Sequence, residues 1–186
     1  LTVHFSDVGQ ADCILIQSPN GLNMLIDAGN NADAQLILDY LHDQKITRLD
    51  IVVGTHPHED HIGALDTVIT NFDIGQIYLP KVSNNTKTFR DVLQAIKDKG
   101  LTIKTAKAGV TISLDPLLQI SMLAPNSEKY KETNDYSAVI KLSYDKIAFL
   151  FTGDAEAHSE AKILQQSPTA LKATILKVGH HGSRSS

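Results

Sequence analysis

Three apolar runs in this chain each end in a burst of polar residues, and that pattern restricts its possible folds more than any other feature. "LDIVV" runs into "GTHPHEDHIG", "KIAFLF" into "TGDAE", and "KATILKV" into "GHHGSRSS". A short continuous apolar run reads as a buried strand. Polar residues released at the C-terminal ends of such strands converge on one sheet edge, where α/β proteins commonly build their sites. Two β-rich halves, each with helices, call for a layered α/β sandwich rather than a doubly wound parallel sheet.

The rest of the chain fits that layering. "LTVHFSDV", "DCILIQS" and "LNMLIDAG" read as strands, with Pro19, Asn20 and Gly21 turning the last two into a hairpin or meander. Apolar residues at helical spacing mark "NADAQLILDYLHDQK", "HIGALDTVITNF", "KTFRDVLQAIKDKG" and "AEAHSEAKILQQS". Strands are expected at "IGQIYLP", "LTIKTA", "SAVIKLSYD" and within the β-rich stretch "VTISLDPLLQISMLAP". A length of 186 residues suits one domain over residues 1–186, and 42% apolar residues suffice for a core.

Composition excludes several classes. The net charge of -4 leaves no broad basic field for nonspecific nucleic-acid binding, although a local basic site stays open. No apolar run approaches the ~20 residues of a membrane span. The single cysteine, Cys13, excludes an internal disulfide and reads as a small core residue.

"HPHEDH" carries the chemistry. Three of the eight histidines, His56, His58 and His61, sit here with Glu59 and Asp60. His56 and His58, two apart at a strand end, can aim at one point, while Asp60 and His61 face a second point nearby. Imidazole with carboxylate suits zinc, manganese or iron rather than calcium. One metal needs about four ligands, so the motif half-fills two sites. A pair of metals ~3.5–4 Å apart clamps the attacking and leaving oxygens of hydrolytic reactions such as phosphoryl transfer. His4, His42 and His158 read as ordinary strand and helix-surface residues.

These residues resemble the H-x-H-x-D-H signature of the metallo-β-lactamase fold, supported by "LIDAGN", "LFTGDAE" and "LKVGHHGS". Within that family the chain is similar to the hydrolase domain of ComEC-type competence DNA-uptake proteins and to their stand-alone, secreted or lipid-anchored relatives. The cues are "VHFSDVGQADCILI", "GTHPHEDHIGAL" and "NDYSAVIKL", and "DVGQAD" in place of "DVGQGD" leans to the stand-alone type. The resemblance implies an αββα four-layer sandwich, truncated at its C-terminus, and two divalent metals, zinc or manganese. It implies that His56 and His58 bind the first metal, that Asp60, His61 and His180 bind the second, and that Asp154 bridges them. Asp27 supports the metal loop by hydrogen bonds. Asp60 can accept a proton, and His181 stands near the substrate as a proton donor. Which of His180 and His181 touches metal is open.

One departure from the family is plain. No histidine occurs between His61 and His158, and Asn134 stands where the family's third histidine of the first metal would be. Amide oxygen is the weaker ligand, so the first site is expected to hold its ion less tightly. Ser183 and Arg184 suit an anionic substrate, a phosphodiester or single-stranded DNA, because arginine matches phosphate geometry. Other esters, namely choline-phosphate, a lactone or a β-lactam, and a catalytically silent binding module are the alternatives. The family points to an extracellular or cell-surface location, with the cytoplasm as alternative, and to a targeting segment upstream of residue 1.

Overall fold

The structure is a computed structural model and describes residues 1–185. Its first sheet runs in chain order: β1 (Thr2–Phe5), β2 (Ile14–Gln17), β3 (Asn23–Ile26), β4 (Arg48–Val53), β5 (Asp73–Pro80) and β6 (Ile103–Ala106). The first three strands pair antiparallel, and β3 through β6 pair parallel. Parallel neighbours need crossovers. They are α1 (Ala34–Asp43), then α2 (Glu59–Ile62) with α3 (Leu65–Asn71), then α4 (Lys87–Asp98).

The second sheet contains β7 (Thr111–Ile112), β8 (Leu118–Ala124), β9 (Val139–Tyr144), β10 (Ile147–Phe151) and β11 (Ile175–Lys177), in the order β11-β10-β9-β8-β7. It is antiparallel except for β10 and β11, which are parallel and joined through α5 (Ala157–Gln166).

Strand alternation sorts the apolar residues into three cores. Ile14, Ile16, Met24, Ile26 and Val53 point inward and meet Ile120, Ile140, Leu142 and Phe151 of the other sheet. Leu15, Leu25 and Val52 point outward to Ile37 and Leu41 of α1, Val68 and Ile69 of α3, and Val92 and Ile96 of α4. On the far side, Ala124, Val139 and Leu150 pack on Ile163 of α5. The layers are therefore helix, sheet, sheet, helix, as the resemblance implied. β11 forms one edge, with Ile175, Leu176 and Val178 exposed.

α4 shows how local sequence sets an element. The Thr86 hydroxyl caps its start by accepting from Phe89 N at 3.3 Å. Phe89, Val92 and Ile96 then fall on one buried face. The expected helix over "HIGALDTVITNF" differs from what forms. It divides into α2 and α3 around Gly63 and Ala64. Gly63 lies against the backbone of Asn30 and Asn31, where a Cβ would stand 2.2 Å from Asn31 N. Close packing of two loops, invisible to helical periodicity, thus interrupts the helix. Cys13 is buried as its apolar run implied, and burial pushes its thiol up to about 12. No helix among the described residues is long and apolar enough to cross a membrane.

Candidate metal centre

The C-terminal ends of β3, β4, β10 and β11 meet at one edge of the sandwich. β3 delivers Asp27, whose backbone takes a left-handed φ of 60°. Its carboxylate is fully buried and accepts from Thr55 N, Thr55 Oγ1 and His61 Nδ1, each at 2.7 Å. One side chain thereby fixes both the start of the histidine loop and the ring of its last histidine. With Nδ1 committed, His61 presents Nε2 to the interior of the site, the arrangement that fixes a metal-binding tautomer.

Asp154 arrives from the turn after β10. Its backbone N donates to Ser137 Oγ at 3.1 Å. Gly153 before it has φ 52°, and a Cβ there would stand 3.1 Å from Thr55, so the turn sits tightly against the histidine loop of the other sheet. His61 Nε2 and Asp154 Oδ1 are 3.0 Å apart, yet both are buried without a hydrogen-bond partner. Their distance suits a hydrogen bond but their alignment does not. Buried polar atoms are rarely left so. Two donors that lie side by side and face a common point are what a shared cation requires.

His181 Nε2 completes the group, 3.2 Å from Asp60 Oδ2 and 3.6 Å from Asp154 Oδ2. The ligand atoms of Asp60, His61, Asp154 and His181 all lie within 4.8 Å of one another. Donors ~2.1 Å from a tetrahedral zinc stand roughly 3.4 Å apart, so these residues fit a divalent ion with little movement.

A second cluster surrounds the other side of Asp154. His56 Nε2 is 3.1 Å from His58 Nδ1 and 3.8 Å from Asp154 Oδ2. His180 Nε2 lies 3.9 Å from the same oxygen. Asn134 is buried, with Nδ2 3.4 Å from His180 Nε2 and its Oδ1 without a hydrogen-bond partner. Asp154 thus faces both clusters.

The adjacent histidines, between which the sequence left the metal contact open, face different clusters. His181, expected near the substrate as a proton donor, joins Asp60, His61 and Asp154. His180, expected in that group, turns toward His56 and Asn134 and brings an imidazole to the side where the third histidine is missing. The cause is the backbone. His180 and His181 have φ 43° and 51°, so consecutive side chains leave a left-handed turn in different directions, His180 toward Asn134 and His181 toward Asp60, while both lie near Asp154 Oδ2. Such conformations cost of order 1–3 kcal/mol each and persist only where the surroundings impose them.

Electrostatics follow from burial. Burial holds the His56 imidazole well below its ordinary value, helped by the charge of His61, so it is a neutral donor. Burial also opposes protonation of His61, but the Asp27 carboxylate and then Asp154 outweigh it and raise His61 to about 10. Burial pulls Asp154 upward, while His61 and then His56 override it and hold the carboxyl well below the usual range.

Several supports escaped the sequence reading. Glu156 Oε1 accepts from Asn134 Nδ2 at 2.9 Å and lies 3.1 Å from His180 Nδ1. Ser185 Oγ is 2.7 Å from the same His180 nitrogen. Asp12 and Lys177 form an ion pair behind the site. Glu156 in "TGDAE" and Asp12 in "DVGQAD" stood within quoted motifs, but nothing in spacing showed what they face. Ser183 Oγ accepts from Ser185 Oγ at 3.2 Å, and Arg184 is exposed on the same turn, outside both donor clusters.

The sequence profile of the metallo-beta-lactamase superfamily matches residues 6–186. The chain belongs to that superfamily. Metallo-beta-lactamase superfamily proteins are generally metal-dependent hydrolases. ComE operon protein 3 of Bacillus subtilis (strain 168) is 27% identical over 201 residues, covering 99% of this chain and 26% of its own length. Recombination protein 2 of Haemophilus influenzae is 30% identical over 188 residues, covering 97% of this chain and 21% of its own length. The chain thus spans about a quarter or less of these curated relatives. Zn(2+)-bound PqqB from Methylobacterium extorquens superposes with a TM-score of 0.54 at 13% identity, over 81% of this chain and 56% of that one. CmlA, a diiron β-hydroxylase from Streptomyces venezuelae, does so at 0.53 and 16%, over 83% and 31%. These two structures share the fold with the present chain and are described with different metals, zinc and iron.

Proposed function

We propose that this chain is a metal-dependent phosphodiesterase, with single-stranded DNA as a candidate substrate and a dinuclear zinc or manganese site. The observation that carries the reading is the sharing of Asp154 between two donor clusters, one of Asp60, His61 and His181, the other of His56, His58 and His180. Bound there, two divalent ions would supply an activated water and neutralise charge at the scissile phosphate. Asp27 holds the His61 ring, and Asp60, the more exposed acid of its group, would accept the proton of the attacking water. Arg184, exposed on the turn beyond His181, offers an anionic substrate a fork of donors. The competence-related names of the relatives support a nucleic-acid substrate. We propose a cell-surface or extracellular setting, with the cytoplasm as the alternative, which fractionation of the native cells would check.

One observation favours a second reading. A cleft of about 740 Å³ beside His58 is lined by Glu59, Asp66 and Asp91, with Lys87 paired to Asp91. A long polyanion would be repelled there, whereas a small phosphodiester with a neutral or cationic alcohol, such as choline-phosphate, would be received. Elemental analysis of the purified chain, followed by assays with zinc or manganese on bis-para-nitrophenyl phosphate, single-stranded DNA and a choline-phosphate ester, separates the two. A metal-loaded chain that cleaves none of these would sink both readings.

A further inference from the structure

We propose that Asp12, held by its own backbone hydrogen bonds, is a positioning residue for His181, the counterpart of Asp27 for His61, and that Lys177 separately ties its loop to the turn carrying Asp154. The proposal rests on the reading of Asp60, His61, Asp154 and His181 as a metal site.

Asp12 lies in the loop between β1 and β2, and its backbone is clamped at both ends. Its N donates to Asp60 O at 3.0 Å, and its O accepts from Gly29 N at 2.8 Å. The side chain is buried, 8% exposed, and reaches toward both histidines of the group. Oδ1 is 3.8 Å from His181 Nδ1, and Oδ2 is 3.7 Å from His61 Nδ1. Since His181 Nε2 faces Asp60 and Asp154, Asp12 is the carboxylate on the opposite edge of that ring. A carboxylate behind the remote nitrogen of a ligating histidine sets its tautomer and orientation.

Lys177 closes the arrangement from the second sheet. Its Nζ pairs with Asp12 Oδ2 and donates to Gly153 O at 3.1 Å, the residue before Asp154. Among the described residues, this is the ion pair between a lysine or arginine and an acid that joins the first sheet's loops to the second sheet. A buried pair of this kind gives little net stability over a well-packed apolar replacement. Its location suggests what it does instead. It ties the loop carrying Asp12 to the turn carrying Asp154, so that donors from both sheets hold one spacing.

The test is zinc affinity, read by competition with a chromophoric chelator, together with the melting temperature of the metal-free protein. Asp12→Asn keeps the shape and is expected to weaken the tighter-coupled ion by about 10–100-fold. The same change is then made in a Lys177→Met background, where the buried ion pair is already gone. If Asp12 acts through His181, Asp12→Asn weakens zinc by a similar factor there, whatever it does to metal-free stability. If Asp12 serves only as the partner of Lys177, the double variant binds zinc as well as Lys177→Met alone, and the proposal is overturned. A parent protein that binds no zinc would overturn the metal reading and this proposal together. A parent that binds zinc, with both Asp12→Asn variants unchanged, would overturn this proposal alone.

Discussion

Asp154 has Oδ1 beside His61 and Oδ2 among His56, His180 and His181, and Asp27 satisfies three donors at once, so single residues here have defined consequences. His58→Ala and Asp154→Ala are each expected to abolish hydrolysis while leaving the far-UV circular dichroism spectrum intact. Both side chains sit at strand or loop ends, and their loss falls on coordination. Either variant turning over normally without bound metal would disprove the assignment. The protonation of His61 gives a second expectation. Its value in the metal-free chain is raised from 6.5 to about 10, so its contribution to stability is complete below about 6.5 and is lost as the pH climbs through about 10. Asp154 is shifted down from 3.8, so its contribution is present above that value and fades as the pH falls below it. Urea midpoints measured in the presence of chelator should therefore decline on the alkaline side. A His61→Asn variant should show a smaller decline, because His61 no longer contributes a proton to lose.

At the scale of elements, the break between α2 and α3 positions the donors. The short α2 carries Asp60 and His61, and a continuous helix through residue 64 would change the direction in which it meets the site. Its placement depends on backbone contact across Gly63, whose N donates to Gly29 O at 2.8 Å. Gly63→Ala would force a Cβ into the backbone of Asn30 and Asn31. The expected cost is about 1–3 kcal/mol, the range for overpacking a close contact, and it should appear as a lowered urea midpoint with an unchanged slope. Zinc affinity should fall as well, since α2 must shift to relieve the clash. A Gly63→Ala protein as stable as its parent would show that the loops give way more easily than their spacing indicates.

At the scale of the whole molecule, the site is a junction. Asp60 and His61 belong to the first sheet's connections, while Asp154 and His181 belong to the second's. An ion bound between them crosslinks the two halves, and any ligand of the folded state alone stabilises it by mass action. Chelation should lower the melting temperature by several degrees, and added zinc or manganese should restore it in a concentration-dependent way. A melting temperature indifferent to chelator, in protein shown to carry metal beforehand, would mean that the halves hold together without it.

How much of this could be read from the chain depends on distance. Strand runs such as "LDIVV" and "KIAFLF", the capped α4, and the donor types in "HPHEDH" are local patterns. Burial and hydrogen bonding act on neighbouring residues, so periodicity reports them directly. The layering followed from the same cause, because apolar faces of known period must cover one another. The division of α2 from α3, the separate directions of His180 and His181, and the meeting of Asp12 with Lys177 depend on other things. They come from contact between loops far apart in sequence and from left-handed backbone angles at His180 and His181. A one-residue difference in which ring joins Asp60 and His61 leaves no trace in spacing. The stacking of the two sheets decides it.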